Sequence, residues 1–540
     1  MEPAPKTSAQ PPRQAPLSEI LAAKKAKIAE LRGRGVDPYP PRWPKTASCA
    51  EALAAGKSLS AGEHAASREA SSAGPHEEMM LRPGAAGGEF SCAGRVLQIR
   101  DMGKSIFAHI QDQSGRCQVY FGKSQLPEAD FALVKKDLHA GDFIGVTGPV
   151  FKTKTGEITV EARAVVLLSK ALRPMPEKWH GLKDVETRYR RRHLDLIASD
   201  GVRETFLKRS LIVSTVREVL DGAGFVEVET PILLGQAGGA SARPFATRHN
   251  ALQADMVLRI ATELYLKRLI IGGFDKVYEI GRIFRNEGID TRHNPEFTML
   301  EAYQAYTDYD GMADLFEKIT AACAEALGVS TVDCGGKALS LKPPFNRVRL
   351  PELWKNACGE PLEAILDGLR FDRAALLQLA DKVGAPADER TPGAKIFERI
   401  FDAKIMPRLN GITLVFDHPA AITPLAKLKP GSPSVVERFE AFAAGQELAN
   451  AYTELNDPQD QRARLAEQAR QRQEENDAEA DILDEDFVEA LECGMPPTGG
   501  IGIGIDRLVM LLTGQASIRD VILFPTLKKE SPSENQACAD

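Results

Sequence analysis

One run near the C-terminal end constrains the fold more than any other: TGGIGIGIDRLVMLLT, residues 498–513. Gly500, Gly502 and Gly504 alternate with Ile501, Ile503 and Ile505. Successive side chains of a strand point to opposite faces, so the run reads as a strand bare on one face and branched-aliphatic on the other. It is not a dinucleotide-binding loop. A G-x-G-x-x-G of that type lies between a first strand and its helix, with an acidic residue about 20 positions on. Here the glycines lead straight into an amphipathic stretch from Arg507 to Leu512. A bare strand face lets a planar ring approach the backbone, and an arginine at the head of the next helix can cover that ring by cation–π stacking.

At 540 residues the chain has room for about three domains. It is 43% hydrophobic and 26% charged, a balance that permits buried cores. It contains no apolar run of about 18 residues that could span a membrane. The opening MEPAPKTSAQPPRQAPLSE lacks the apolar centre of a secretory signal. Eight cysteines (Cys49, Cys92, Cys117, Cys323, Cys334, Cys358, Cys493 and Cys538) form no C-x-x-C. Neither a zinc site nor a disulfide framework is expected, and a reducing cytoplasm is the expected compartment. The formal net charge of −7 argues against non-specific coating of nucleic acid but leaves room for a local basic surface.

Residues 1–17 read as a disordered arm. Residues 18–88 read as a basic helix, stopped by GVDPYPPRWP, and then an Ala/Ser/Gly-rich linker. From 89 to 170 five short strands surround a helical piece near 127–137, the pattern of a small closed β-barrel. The OB-fold, which commonly binds oligonucleotides, leads here, with a barrel serving as a mere spacer as the alternative. Residues 171–199 include the basic run TRYRRRHLDL, read as a solvated hinge or a nucleic-acid contact. From 200 to 529 helices alternate with hairpin-linked strands, an α+β domain with a largely antiparallel sheet, before a tail over 530–540.

Chemistry concentrates in two more stretches. In RIFRNEGIDTRHNPEFTMLEAY (282–303) a hairpin would place Arg285, Glu287, Phe297, Glu301 and Tyr303 on one surface, with Arg292 and His293 in the loop. Unpaired buried charge is costly, so this mixture fits a pocket for a ligand that is anionic, aromatic and cationic in different parts. In ERFEAFAAGQELANAYTELND (437–457) Glu440 and Glu447 lie symmetrically about Ala443–Ala444, so a hairpin would set them opposite each other. Facing carboxylates repel unless a cation lies between them, and Mg²⁺ accepts such hard oxygen ligands. A solvated hairpin edge is the alternative. Asn450, Tyr452 and Glu454 share one parity and Glu447 has the other, a conflict that a β-bulge would remove. Adenine between Phe297 and Arg507 would answer the bare strand.

These stretches resemble a known family. FRNEGIDTRHNPEFTMLE is similar to motif 2 of the class II aminoacyl-tRNA synthetases, GGIGIGIDRLVML to motif 3, and GFVEVETPIL (224–233) to motif 1, whose proline lies at a dimer interface. GGASARPF, ELYLKRLIIGGFDKVYEIGRIFRNEG, NAYTELND and ILFPTLK resemble the lysyl branch of that family. The resemblance spans about residues 18–529. It implies an OB-fold anticodon-binding domain and a class II catalytic domain. It also implies a homodimer, ATP with Mg²⁺, L-lysine and tRNA(Lys) as partners, and no membrane. By the same resemblance Arg285 would meet the substrate carboxylate and α-phosphate and Glu287 the adenine amino group. Arg292 and His293 would face the terminal phosphates, Phe297 and Arg507 would flank adenine, and Glu440 and Glu447 would hold Mg²⁺. Gly239 and Glu263 would meet the lysine α-amino group and Asn450 its carboxylate. Glu301, Tyr303 and Glu454 would line the ε-ammonium end, with Gly502 in the pocket wall. Arg100, Phe107, Gln118 and Glu157 would meet the anticodon. Phe107 has the parity opposite to Ile106, Ala108 and Ile110, hence outward if those three face the barrel core.

The implied reaction has two steps: the lysine carboxylate attacks the ATP α-phosphate, and the tRNA terminal hydroxyl then takes the lysyl group. Arg285 and Arg507 are the expected catalytic residues. Aspartyl- and asparaginyl-tRNA synthetases are the nearest rivals, but Glu301 and Glu454 suit a cationic side chain. A protein-lysylating relative of the catalytic half would lack the barrel. A non-catalytic RNA-binding scaffold would not keep the full set of arginines and carboxylates.

Overall fold

A computed structural model describes residues 16–59, 89–175, 182, 184–199, 201–240, 242–334, 336–385, 387–475 and 484–529. The arm up to residue 15, the linker over 60–88 and the tail from 530 fall outside the described residues. Two compact units lie within residues 1–179 and 180–528.

In the first unit, α1 (Leu17–Gly33) and α2 (Cys49–Ala55) precede the barrel. Ser48 and Glu51 close a reciprocal capping box on α2, satisfying two otherwise orphaned N–H groups. The barrel strands are β1 (Glu89–Asp101), β2 (Ser105–Gln111), β3 (Arg116–Gly122), β4 (Phe143–Lys152), β5 (Ile158–Glu161) and β6 (Ala164–Ser169), with α3 (Glu128–Asp137) between β3 and β4. They run in the order β1-β2-β3-β5-β4, and β1 pairs again with β4 to close the barrel, while β6 flanks β4. The pairing of β3 with β5 is parallel. This is an OB-fold. The last of the five strands read from the sequence breaks at Ala162–Arg163, so that β5 closes the barrel and β6 does not. Ile106, Ala108 and Ile110 fill the interior, and Phe107 and His109 face outward.

The second unit is built on an eight-stranded sheet. Its strands are β7 (Val226–Glu227), β8 (Lys276–Phe284), β9 (Glu296–Ala305), β10 (Asn346–Arg349), β11 (Thr413–Pro419), β12 (Val435–Ala443), β13 (Gln446–Thr453) and β14 (Thr498–Gly504). The spatial order is β10-β11-β12-β13-β14-β9-β8-β7. Only the outer pairs β7–β8 and β10–β11 are parallel. Its helices include α4 (Val202–Gly222), α5 (Glu263–Ile271), α6 (Tyr309–Ala326) and α7 (Ile505–Thr513).

Ile501, Ile503, Leu300, Ala302, Ala449, Ala451, Phe439 and Ala441 all project from one sheet face into a core shared with α4, α6 and α7. Burying such an aliphatic side chain contributes about 1.5–3 kcal/mol, so this face fixes the strand register. The opposite face is thereby released for polar work. The basic run after residue 184 is not a solvated hinge. It forms short helices over Val185–Arg190 and Arg192–Ala198, and Arg192 is 1% exposed. Its guanidinium pairs with Asp195 at 2.8 Å and donates to the carbonyls of Leu523, Arg519 and Ile522.

Candidate active site

The glycine strand β14 lies between β9 and β13. Gly500 stands opposite Tyr303 and Tyr452, Gly502 opposite Glu301 and Asn450, and Gly504 opposite Met299. The glycines therefore floor a polar surface whose walls are the side chains of its two neighbours. They do not share one task. A Cβ on Gly500 would fall 2.1 Å from Glu454 Oε1 and 2.5 Å from Tyr303 Cε1. On Gly502 its nearest atoms would be 3.8 Å away, and on Gly504 3.7 Å. Gly500 thus makes room for the protein's own side chains, and only the other two leave open floor. A bare face serving a ring along its whole length needs that correction.

At one end the site is strongly acidic. Glu301 accepts from the Thr262 N–H at 3.1 Å and the Tyr303 hydroxyl at 3.2 Å. Burial pushes its carboxyl up to about 7, and the Glu263 charge adds to the shift. Burial likewise lifts Glu454 to about 8, against the pull of Lys267. Gly239, in a left-handed conformation at φ +83°, brings its backbone close to Glu263: a Cβ there would lie 3.4 Å from that of Glu263. Glu454 Oε2 meets the Lys267 ammonium, while its buried Oε1 receives no hydrogen bond among the described residues.

At the other end the site is basic. Arg285 and Glu287 lie just past the end of β8 rather than on one strand face. The chain there is held by bonds from the Arg285 N–H to the Pro295 carbonyl at 2.9 Å and from the Asn286 N–H to the Arg243 carbonyl at 2.8 Å. The Arg285 guanidinium stands 5.3 Å from the Phe297 ring centroid. In the loop, His293 Nδ1 meets Asp290 at 2.8 Å, and its Nε2 lies 3.4 Å from Arg507 Nη2. Arg292 donates to the Gly445 carbonyl and Arg507 to the Glu447 carbonyl.

Glu440 and Glu447 do not face each other across a ladder rung. Glu440 pairs with Asn450, and Glu447 with Phe442. A two-residue turn of Ala444 (φ 51°) and Gly445 (φ 72°) sets the register. A bulge then leaves Leu448 without a partner. That extra residue reverses the parity of Glu447, placing it on the Glu440 and Asn450 face and removing the conflict seen in the sequence. Glu447 is raised above the usual carboxylate range, first by the enclosing cleft and then by Glu440, while Arg507, Arg438 and Arg285 oppose the rise.

Two buried cations in the site were not singled out from the sequence. Arg438 donates from Nε to Asn450 at 3.0 Å and from Nη1 to Thr423 at 2.7 Å, and it also pairs with Glu440. Lys267, on α5, is fully buried between Glu263, at 2.6 Å, and Glu454. Its spacing from Glu263 is that of an ordinary i, i+4 surface pair, which is how the sequence disguises it.

On the barrel, Arg100 pairs with Phe107, Phe107 with Tyr120, and His109 with Gln118. The Phe107 and Tyr120 rings lie 5.0 Å apart. Glu157 accepts from Gln118 Nε2 at 2.7 Å and meets His109 Nε2 at 3.0 Å. Arg100, Phe107, His109, Gln118 and Tyr120 thus share the outer face of β1, β2 and β3, where Glu157, just ahead of β5, covers a Gln118 that is 7% exposed.

A closed OB barrel, and a unit whose antiparallel sheet carries arginines at one end of a glycine floor and carboxylates at the other, together define a class of enzyme. The family model described as tRNA synthetases class II (D, K and N) matches residues 184–528, and the one described as OB-fold nucleic acid binding domain matches 90–168. The chain belongs to the class II tRNA synthetase family. Its relatives include the lysine–tRNA ligase of Enterococcus faecalis, 48% identical over 515 residues, covering 95% of this chain and 98% of that one. The lysine–tRNA ligase of Moorella thermoacetica is 52% identical over 443 residues, covering 82% of this chain and 89% of that one. That of Dehalococcoides mccartyi strain 195 is 45% identical over 523 residues, covering 96% of this chain and all of the other.

Proposed function

We propose that the chain is a lysine–tRNA ligase that activates L-lysine with ATP and transfers the lysyl group to tRNA(Lys). The observation that carries this is the buried acidic end of the site: Glu263, Glu301 and Glu454 meet over a glycine floor. A pocket for aspartate or asparagine would need donors where these carboxylates stand.

In this reading Glu301, Tyr303 and Glu454 receive the ε-ammonium, while Gly239 and Glu263 receive the α-ammonium. Asn450, oriented by Arg438, and Arg285 hold the carboxylate against the α-phosphate. The nucleophile is already an anion, so no protein base is required for the first step. Arg285 and Arg507 position the reactants and meet developing charge on the phosphate. Phe297 and Arg507 flank adenine over Gly504, and Glu287 takes its amino group. Arg292 and His293 face the terminal phosphates. Glu440 and Glu447 share a sheet face, and enclosure, with the Glu440 charge second, raises Glu447, an arrangement that fits a divalent cation. Two hard oxygen donors with room for phosphate suit Mg²⁺, which, when bound, supplies charge neutralisation at the phosphates. Arg100, Phe107, Gln118 and Glu157 present a surface for splayed anticodon bases.

Leu207, Leu211, Val226, Ile232 and Leu233 are large apolar side chains left exposed around motif 1. They support a homodimer through that face. No helix among the described residues is long and apolar enough to cross a membrane. We place the enzyme in the cytoplasm, where its tRNA is charged.

Pyrophosphate exchange into ATP tests the reading. It should require L-lysine and ignore aspartate and asparagine. Strong exchange with aspartate and none with lysine would overturn it.

A further inference from the structure

The three carboxylates of the acidic end are accompanied by one cation that belongs to the protein. Lys267 and Glu454 are both 0% exposed at the side chain. The Lys267 ammonium lies 2.6 Å from Glu263 and in direct contact with Glu454 Oε2, and 5.9 Å from the centre of the Phe487 ring. Glu263 on its own helix and Glu454 just after β13 face it directly, and Glu301 and Tyr303 on β9 and Tyr452 on β13 act electrostatically on those two carboxylates or on one another. From the helix Glu485–Glu492 the uncharged Phe487 ring packs against it.

We propose that Lys267 is a positioning and specificity residue: a resident ammonium that holds Glu263 and Glu454 in place and sets the charge of the empty pocket to match its substrate. The inference rests on the lysine reading above and deepens it. With all three carboxylates ionised, Lys267 leaves two negative charges uncompensated, and L-lysine brings two ammonium groups. The second oxygen of Glu454, Oε1, has no hydrogen-bond donor of its own among the described residues. Lys267 thus occupies one side of the carboxylate and leaves the other for the ligand. Burial alone would drive the Lys267 ammonium toward neutrality, but Glu263 and Glu454 outweigh it and hold the proton firmly. Removing that cation leaves the buried Glu454 without its counter-charge, so that it takes up a proton more readily and binds an ammonium only at higher pH.

The test compares wild type, Lys267→Met, Glu454→Gln and the double variant in lysine-dependent pyrophosphate exchange across pH. Lysine dependence of the wild type tests the functional reading, and the comparison among variants tests Lys267. Lys267→Met should raise the KM for lysine about tenfold or more, the scale of one charge-assisted hydrogen bond lost. The KM for ATP should stay unchanged, and the profile of kcat/KM for lysine should move to higher pH. Because Lys267 acts through Glu454 and Glu263, the two losses should overlap, and the double variant should bind lysine better than the product of the single effects requires. An unmoved lysine KM and pH profile, effects that multiply in the double variant, or an equal rise in the KM for ATP would each overturn the proposal. If Lys267→Met does not fold, Lys267→Arg carries the test: the charge is kept, so the wild-type pH profile should survive a raised KM, and an alkaline shift would overturn the proposal.

Discussion

Glu301 and Glu454 make the site sensitive to pH in a definite direction. Their carboxyls, pushed up to about 7 and about 8, are largely protonated at the acid end of the neutral range. The ammonium groups of lysine keep their protons throughout it. Affinity for L-lysine should therefore rise between about pH 6 and 8, as the two carboxylates ionise. Titration calorimetry over that window checks this, and a flat affinity would remove both groups from the ligand's reach. Stability of the empty protein should move the other way. Unfolded glutamate titrates near 4.3, so the native state holds more protons from about that pH up to the raised values. Melting temperature contributed by these two groups accordingly falls as pH rises across the interval. Gly500 gives a second residue-scale prediction. Gly500→Ala would force a methyl onto Glu454 and Tyr303, and should lower lysine affinity and stability together. Gly502→Ala meets only ordinary contacts at 3.8 Å, so it should fold normally and lose affinity alone, as read by melting and titration.

At the scale of elements, the hairpin of β12 and β13 shows what sequence can and cannot convey. Period-two alternation made the bare face of β14 and the outward Phe107 legible, because both follow from single strands. The parity conflict at Glu447 marked a bulge without locating it, since Leu448 loses its partner only through pairing with β12. Lys267 and Arg438 stayed hidden because the partners that bury them come from other elements: Glu454 lies far along the chain from Lys267, and Thr423 and Asn450 hold Arg438 from two sides. The polarity of the basic run after residue 184 pointed outward, whereas carbonyls near the end of the second unit receive Arg192. For the hairpin itself, Glu440→Ala or Glu447→Ala should cut lysine activation and raise the Mg²⁺ requirement, each removing a hard oxygen ligand. Mg²⁺ titrations of exchange in both variants that match wild type would show the carboxylates to be structural.

At the scale of the whole molecule, the barrel and the catalytic unit have separate hydrophobic cores. Damage to tRNA selection should therefore be separable from damage to chemistry. A stacked base is worth about 1–3 kcal/mol. Phe107→Ala should reduce tRNA charging by about one to two orders of magnitude and leave pyrophosphate exchange without tRNA near normal. Loss of both activities along with the melting temperature would make Phe107 a structural residue of the barrel.

The converging carboxylates of the empty pocket carry a consequence for the protein's lifetime. A ligand that binds only the native state withdraws molecules from partly opened forms in proportion to its concentration over its dissociation constant. Glu263, Glu301 and Glu454 concentrate that effect in one substrate, because lysine relieves their mutual repulsion. Proteases act on the opened population, so cells short of lysine should clear this enzyme faster than cells well supplied with it. Abundance of the enzyme would then follow the amino-acid pool with no dedicated regulator.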